Sequence, residues 1–297
     1  MRTAAIGIGS NSLRMLLAEV TNGKIRRIGR YREGLRIFAA LDARGDITSA
    51  MIRQACEKVG GFVAEAKKSG AETVYLFATS AVRDAGNQQA FANALKKATG
   101  LDLEICSGET EAKLSFIGAT GPIPSGLIDI GGGSTEIAVG QGERIENAVS
   151  LQMGAVRLYR QQPIYDTDTA ERVIRMAKEL LSPVESGFRS ERSRQWVGVG
   201  GTFTTAAALA QRVSWSDREH IHHYDLSQDA VERMVRYLAP MTVEERLKLP
   251  SMQPQRADIV AHGMAILLAC MDRLSIPSIQ VSEYGNLEGF LKVKYTL

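Results

Sequence analysis

Cysteine and long apolar runs are scarce in this sequence, and each scarcity removes a class of protein. The three cysteines, Cys56, Cys106 and Cys270, are scattered through 297 residues and odd in number. They fit reduced, mostly buried thiols better than a disulfide framework or a metal site. No uninterrupted apolar stretch approaches the roughly 18 residues of a membrane span. Residues 1–6 lack a hydrophobic segment followed by a cleavage site, so no secretory signal is expected and the chain reads as cytoplasmic, with no membrane partner. The net charge of +3 is too small to imply a nucleic-acid partner. His220, His222 and His223 cluster in a polar stretch with no cysteine or carboxylate at ligand spacing, which favours a solvated loop over a metal site.

What is present is a soluble, globular composition, 44% hydrophobic and 23% charged, in a chain long enough for two domains. Its central stretch, Gly126-Leu127-Ile128-Asp129-Ile130-Gly131-Gly132-Gly133-Ser134-Thr135-Glu136-Ile137-Ala138-Val139, reads as a buried strand, a tight hydroxyl-bearing glycine turn and a second strand. Consecutive glycines remove every Cβ from the turn, so backbone N–H groups can converge on an anion. Asp129 ends the first strand beside them, and a carboxylate next to such a cradle suits a metal-bound phosphate. A glycine-rich hairpin turn with no ligand is the competing reading. Residues 3–20 repeat the pattern, with Gly7, Gly9, Ser10, Asn11 and Ser12 in the turn. Two such units over a hundred residues apart suggest two related halves facing a shared cleft, with a boundary near residue 120.

Between these units, apolar residues recur at three- and four-residue spacings over 48–70, predicting a helix. The segment 73–79 predicts a buried strand, followed by Ser80–Asn87 and a helix to about residue 98. This alternation argues for α/β layers. After a short strand at 101–106, Ser107 before a run of acids marks a helix start. Glu109 and Glu111 are then either first-turn acids favoured by the helix dipole, or one of them approaches the cleft. In the second half we expect a helix over about 168–188 and a strand, glycine turn and helix at 195–207, where Gly200 and Gly201 would present N–H groups to an anion. Further helices are expected at 228–238, 243–247 and 254–274, and a strand at 278–282. Lys24, Arg26, Arg27, Arg30, Arg32 and Arg36 crowd into one strand-like stretch, and Arg189, Arg192 and Arg194 form a second cluster. Such runs are either solvated surface or a surface that guides a polyanion. No aromatics interleave with them, which argues against a single-stranded nucleic-acid platform.

With these residues in view, the chain resembles the exopolyphosphatase and guanosine pentaphosphate phosphohydrolase family, within the actin, sugar-kinase and heat-shock ATPase superfamily. The resemblance runs in order through IGIGSNS, ATSAVRDAGN, SGETEAKLSFIGA, IDIGGGSTEI, SLQMGAVRL, VGVGGTFTT and QRADIVAHGMAIL, to the terminal LEG. It implies an α/β fold of two ribonuclease-H-like domains, 1–120 and 121–297, flanking a cleft, with the last segment able to pack back on the first domain. It implies Glu111 as the catalytic base that activates water and Arg83 as the group that neutralises the transferred phosphoryl. Ser10, Asn11 and Ser12 match a first phosphate loop, and Gly131, Gly132, Gly133 and Ser134 a second. Arg36 would line the phosphate path, and Gly200, Gly201 and Thr202 match the loop that binds adenosine phosphates in the superfamily's kinases. Asp129 would help hold Mg²⁺ or Mn²⁺. A homodimer is also implied.

Two positions depart from the family pattern. Gly7 stands where an aspartate is usual, and Leu287 where the terminal block usually has arginine. The missing aspartate at position 7 leaves Glu111 and Asp129 to do the acid's work. The reading is hydrolysis of terminal phosphates from linear inorganic polyphosphate; its rivals are guanosine pentaphosphate hydrolysis, or a polyphosphate- or alarmone-binding protein with little turnover.

Overall fold

The computed structural model describes residues 1–188 and 194–295; Arg189 and Arg192 of the second basic cluster lie outside the described residues. The chain begins with a meander of β1 (Arg2–Ile8), β2 (Ser12–Thr21) and β3 (Lys24–Gly34). There follow α1 (Ser49–Lys68), β4 (Thr73–Ala78), α2 (Ser80–Arg83), α3 (Gln88–Thr99), β5 (Leu103–Ile105) and α4 (Gly108–Ala119). The second half opens with another meander, β6 (Pro124–Ile130), β7 (Thr135–Gln141) and β8 (Arg144–Leu151). It continues through α5 (Ala155–Gln161), α6 (Thr167–Leu181), β9 (Gln195–Val199), α7 (Gly201–Gln211), α8 (Arg218–Ile221) and β10 (Asp225–Ser227). Helices α9 (Gln228–Leu238), α10 (Val243–Leu247) and α11 (Val260–Arg273), strand β11 (Ser278–Ser282) and helix α12 (Asn286–Tyr295) complete it.

The two sheets share one topology. The first runs β3-β2-β1-β4-β5, and the second runs β8-β7-β6-β9-β11 with β10 added at its edge. In each, an antiparallel meander is extended by strands parallel to its first member, which is the ribonuclease-H-like order. The parallel strands β4 and β9 are apolar where they are covered on both faces, whereas β3, at an edge, alternates. A large core clusters around the second sheet with α6, α7, α9 and α11, and a second core joins the first sheet to α1 and α3.

Two helices cross between these layers. Ala112 and Phe116 of α4 pack with Leu127, Ala138, Val197 and Val199 of the second sheet. Leu287, Phe290 and Leu291 of α12 pack with Ala5, Leu16, Ala18 and Phe77 of the first. The helices meet through glycine: a Cβ on Gly118 would fall 1.9 Å from the Gly285 carbonyl oxygen, and one on Gly289 would fall 1.8 Å from that of Leu114.

The elements depart from the periodic expectation in three places. The helix expected over 168–188 ends at Leu181, because Pro183 cannot continue it. The apolar stretch 254–274 divides into a 3₁₀ turn at Pro254–Arg256 and α11. The glycine-interrupted terminal segment forms α12, where packing on the first sheet outweighs weak local propensity. Among the described residues no helix is long and apolar enough to cross a membrane, and all three cysteines are unpaired.

Candidate active site

The turns of the two meanders are built alike. Gly9 N donates to Ser12 O at 3.0 Å, and Gly131 N donates to Ser134 O at 2.9 Å. They also touch: a Cβ on Gly132 would come within 3.1 Å of Ser10 Cβ, and one on Gly133 within 2.5 Å of Ser80 Oγ. The triple glycine therefore serves close packing between halves as well as backbone exposure. Helix α5 anchors it, with Val156 N and Arg157 N donating to Gly132 O at 2.9 and 3.0 Å.

Both turns open onto one cavity of about 560 Å³, walled by both halves. Of the residues singled out from sequence, Ser10, Asn11, Ser12, Glu111, Asp129, Gly131, Gly132, Ser134, Gly200 and Gly201 line it. Gly133, Arg83, Arg36 and Thr202 do not: Gly133 is packed against Ser10 and Ser80, and Arg83 lies behind Glu111. Arg36 is ion-paired with Asp258, joining the two halves. Thr202 is buried against Gly263 of α11.

Glu111 owes its place to the start of α4. Ser107 caps the helix, its Oγ accepting from Thr110 N at 3.1 Å, and the missing side chain of Gly108 lets the first turn lie against Ser150 of β8. Glu109 points to solvent and pairs with Lys113, whereas Glu111 is buried. Arg83 Nη1 donates to Glu111 Oε2 at 2.9 Å and to the Cys106 carbonyl at 3.1 Å. Burial pushes the Glu111 carboxyl up to about 7, against the opposing pull of Arg83 and with a further push from Asp129. Asp129 ends β6 and accepts from Ser115 Oγ at 2.7 Å. Gly200, at φ +102°, sits so close that a Cβ would lie 3.1 Å from Asp129 Oδ1.

A third carboxylate escaped the sequence reading. Glu136 pairs with Asp129 across the β6–β7 ladder and accepts from Ser150 Oγ at 2.7 Å. Burial raises its proton affinity strongly, and Glu111 and Asp129 raise it further. Three desolvated carboxylates repelling one another suit a cation. Asn11 Oδ1, buried with no donor among the described residues, adds an acceptor. No group of three or more His, Cys, Asp or Glu among the described residues is set to hold a metal alone. The residues thus fit Mg²⁺ in its usual mode, held by one or two carboxylates with substrate oxygens and water completing the shell.

The basic stretch of β3 divides. Arg26 pairs with Glu19 on the exposed side and Arg27 with Glu288, whereas Arg30 and Arg32 line the cavity. Arg14 and Arg256 line it too, neither signalled by sequence spacing. The histidines of the 220–223 cluster hold no site: His220 pairs with Asp217, and His222 stacks on His223 at 3.8 Å.

The sequence pattern of the Ppx/GppA phosphatase family matches residues 16–295. The chain is 33% identical to exopolyphosphatase 2 of Mycobacterium tuberculosis, over 97% of both chains. It is similar in structure to an exopolyphosphatase from Cytophaga hutchinsonii, with TM-score 0.89 and 27% identity, covering 100% of this chain and 98% of that one. It is also similar to the Ppx/GppA family member from Aquifex aeolicus, with TM-score 0.82 and 25% identity, covering 99% and 97%.

Proposed function

The chain belongs to the Ppx/GppA phosphatase family, and on that footing we propose that it is an exopolyphosphatase that hydrolyses the terminal phosphate of linear inorganic polyphosphate. One observation carries the reading. Glu111 is buried on the wall of a two-sided cavity, tethered by Arg83, beside two glycine-hydroxyl turns suited to phosphate. A carboxylate whose proton affinity lies near neutrality can accept a proton from water and remain a competent base at physiological pH.

In this mechanism Glu111 orients a water on the cavity wall and takes its proton as the water oxygen attacks the terminal phosphorus. The bond from that phosphorus to the bridging oxygen breaks. Orthophosphate and a chain one unit shorter leave. Backbone groups of the turns and the hydroxyls of Ser10, Ser12 and Ser134 hold the phosphate oxygens. Arg83, behind Glu111 and outside the cavity lining, acts through the base that it tethers and favours in its ionised form. Asp129, on the cavity lining with Glu136 buried beside it, would hold Mg²⁺ or Mn²⁺, which supplies charge neutralisation on the phosphate oxygens when bound. The same reading takes 1–120 and 121–297 as domains of a cytoplasmic homodimer, with α12 returning to the first sheet.

Trp215, 39% exposed and on the cavity lining, favours a second reading in which a base stacks there and guanosine pentaphosphate is the substrate. The test is orthophosphate release from long-chain polyphosphate with Mg²⁺ or Mn²⁺, beside guanosine pentaphosphate. Glu111→Ala is expected to lower the rate by about 10²–10⁴. A variant that keeps the full rate would remove Glu111 from the mechanism, and release from the nucleotide alone would favour the second reading.

A further inference from the structure

Behind the cavity wall, four charged side chains alternate in sign from the base to the second glycine turn. Arg83 Nη1 donates to Glu111 Oε2 at 2.9 Å, and Arg83 Nε lies 3.6 Å from Asp84 Oδ1, an ion pair longer than a hydrogen bond. Asp84 Oδ2 accepts from Arg157 Nη2 at 2.6 Å, which joins the end of α2 in the first half to α5 in the second. Arg157 Nε donates in turn to the Gly133 carbonyl at 2.6 Å. The run Glu111, Arg83, Asp84, Arg157 therefore ends on the backbone of the triple glycine. Arg83, Asp84 and Arg157 all stand outside the cavity lining.

A guanidinium suits position 157 because its planar fork makes two directed bonds from one rigid group, which an ammonium on a flexible stem does not. Here one arm meets a carboxylate of the first half and the other a carbonyl of the second. Arg157 is fixed from two further sides: its N donates to Gly132 O at 3.0 Å, and its Cζ lies 4.6 Å from the centroid of the Phe38 ring. The Arg157 and Asp84 side chains are 20% and 23% exposed, so salt screens this pair less than one on the open surface. Asp84 and Glu111 compete for Arg83; Arg157 satisfies Asp84 and leaves Arg83 with the base. Arg83 also holds the Cys106 carbonyl at 3.1 Å, at the approach to α4. Besides Arg83, the Glu111 carboxyl faces Asp129 and Glu136 of the second meander, the Cys106 thiol after β5 and the Thr79 hydroxyl after β4. Among the described residues Arg157 bonds none of these.

We propose that Arg157 is a positioning residue for the hydrolysis: through Asp84 it keeps Arg83 on the base, and through the Gly133 carbonyl it holds the phosphate turn, so that one guanidinium sets base and turn in register across the two halves. The proposal rests on the hydrolase reading for what the base does, whereas the ladder of charges belongs to the unliganded protein. Opposite effects follow at its two middle rungs. Asp84 left without Arg157 draws Arg83 away and adds an unbalanced negative charge, which favours the protonated form of Glu111. Asp84 made neutral releases Arg83 to Glu111 and favours the ionised form.

The experiment is a carbon NMR titration of the Glu111 carboxyl in the whole, unliganded protein with labelled glutamate, the signal being assigned by its loss in Glu111→Gln. Orthophosphate release from long-chain polyphosphate with Mg²⁺ is measured beside it. Arg157→Gln should move the Glu111 titration upward by roughly half a pH unit or more, and Asp84→Asn should move it downward. In the Asp84→Asn background, Arg157→Gln should add no upward shift, because the rung that carries it is gone. Arg157→Lys keeps the charge and loses the fork; it should leave the titration in place and lower kcat by about 10–100-fold through the loosened turn. A role in packing alone moves neither titration, or moves both the same way, and either result overturns the proposal, as does a wild-type kcat in Arg157→Lys. Should Arg157→Gln fail to fold, Asp84→Asn decides: a downward shift supports the ladder, and an unmoved titration overturns it. Opposite shifts in a protein that releases no phosphate reject the hydrolase and keep the ladder; release with an unmoved titration in both variants does the reverse.

Discussion

Glu109 and Glu111 lie two residues apart in one helical turn and meet opposite environments: one is a solvated partner of Lys113, the other a buried partner of Arg83. Burial raises the Glu111 carboxyl to about 7, and the base must be ionised to accept a proton. We therefore expect kcat/KM to fall about tenfold per pH unit below about 7 and to level above it. A pH–rate profile flat from 5 to 8 would contradict this. Arg83→Gln should move that limb upward, because the arginine favours the ionised form. Gly7 belongs to the same scale. A Cβ there would lie 2.9 Å from Phe77 Cζ and 3.4 Å from Leu287 Cδ2, so both departures from the family pattern meet in one apolar contact. Phe77 stacks on Phe290 at 4.6 Å and fills the space. Gly7→Asp should cost roughly 1–3 kcal/mol from overpacking, with a further cost for an unpaired carboxylate. Urea unfolding checks this, and unchanged stability would refute it. The pairing of the two departures was invisible in sequence, since positions 7 and 287 adjoin only when α12 returns to the first sheet.

At the scale of elements, the crossing of α4 and α12 positions the base. Each helix packs on the sheet of the other half, and the two meet where Gly118, Gly285 and Gly289 allow backbones to touch. Gly289→Ala would place a Cβ 1.8 Å from the Leu114 carbonyl oxygen, a contact relieved only by separating the helices. We expect about 1–3 kcal/mol of destabilisation or more. We also expect a lower kcat, since α4 carries Glu111; wild-type stability and rate together would show that the crossing is looser than the geometry requires. Most elements were legible in advance because their signals are local: apolar spacing for α1, the Ser107 cap for α4 and the strand–glycine–strand pattern of both meanders. Helix α12 was not. Gly285 just before it and Gly289 within it suppress helical propensity, and its stability comes from packing.

For the molecule as a whole, the clustered carboxylates tie stability to pH and to cations. Glu111 and Glu136 bind protons more tightly when folded than when unfolded. Their contribution is complete below the unfolded value near 4.5 and is lost as pH rises, for Glu111 through about 7. Glu111→Gln, which stays neutral, should therefore gain on the wild type between pH 5 and 8, by about 2–3 kcal/mol for the unliganded protein. Parallel pH dependence of the two proteins in chemical unfolding would refute the shift. Mg²⁺ at about a hundredfold its Kd should stabilise the wild type at pH 8 by about 2.7 kcal/mol. Asp129→Asn should lose most of that gain, and a melting temperature unmoved by Mg²⁺ in the wild type would argue against a site there. The sequence by itself determined the duplicated strand–turn–strand units, the α/β layering and Asp129 as a candidate, because glycine turns, caps and apolar periodicity act between near neighbours along the chain; its motifs also carried the family resemblance, which alone separated Glu111 from Glu109. Only the tertiary structure decided which charges meet. Strand register sets Glu136 beside Asp129 and Arg14 beside Arg32, and the return of the chain joins Arg14 to Asn286 across 272 positions. Charge acts through space, and these distances exist only once both halves have folded against each other.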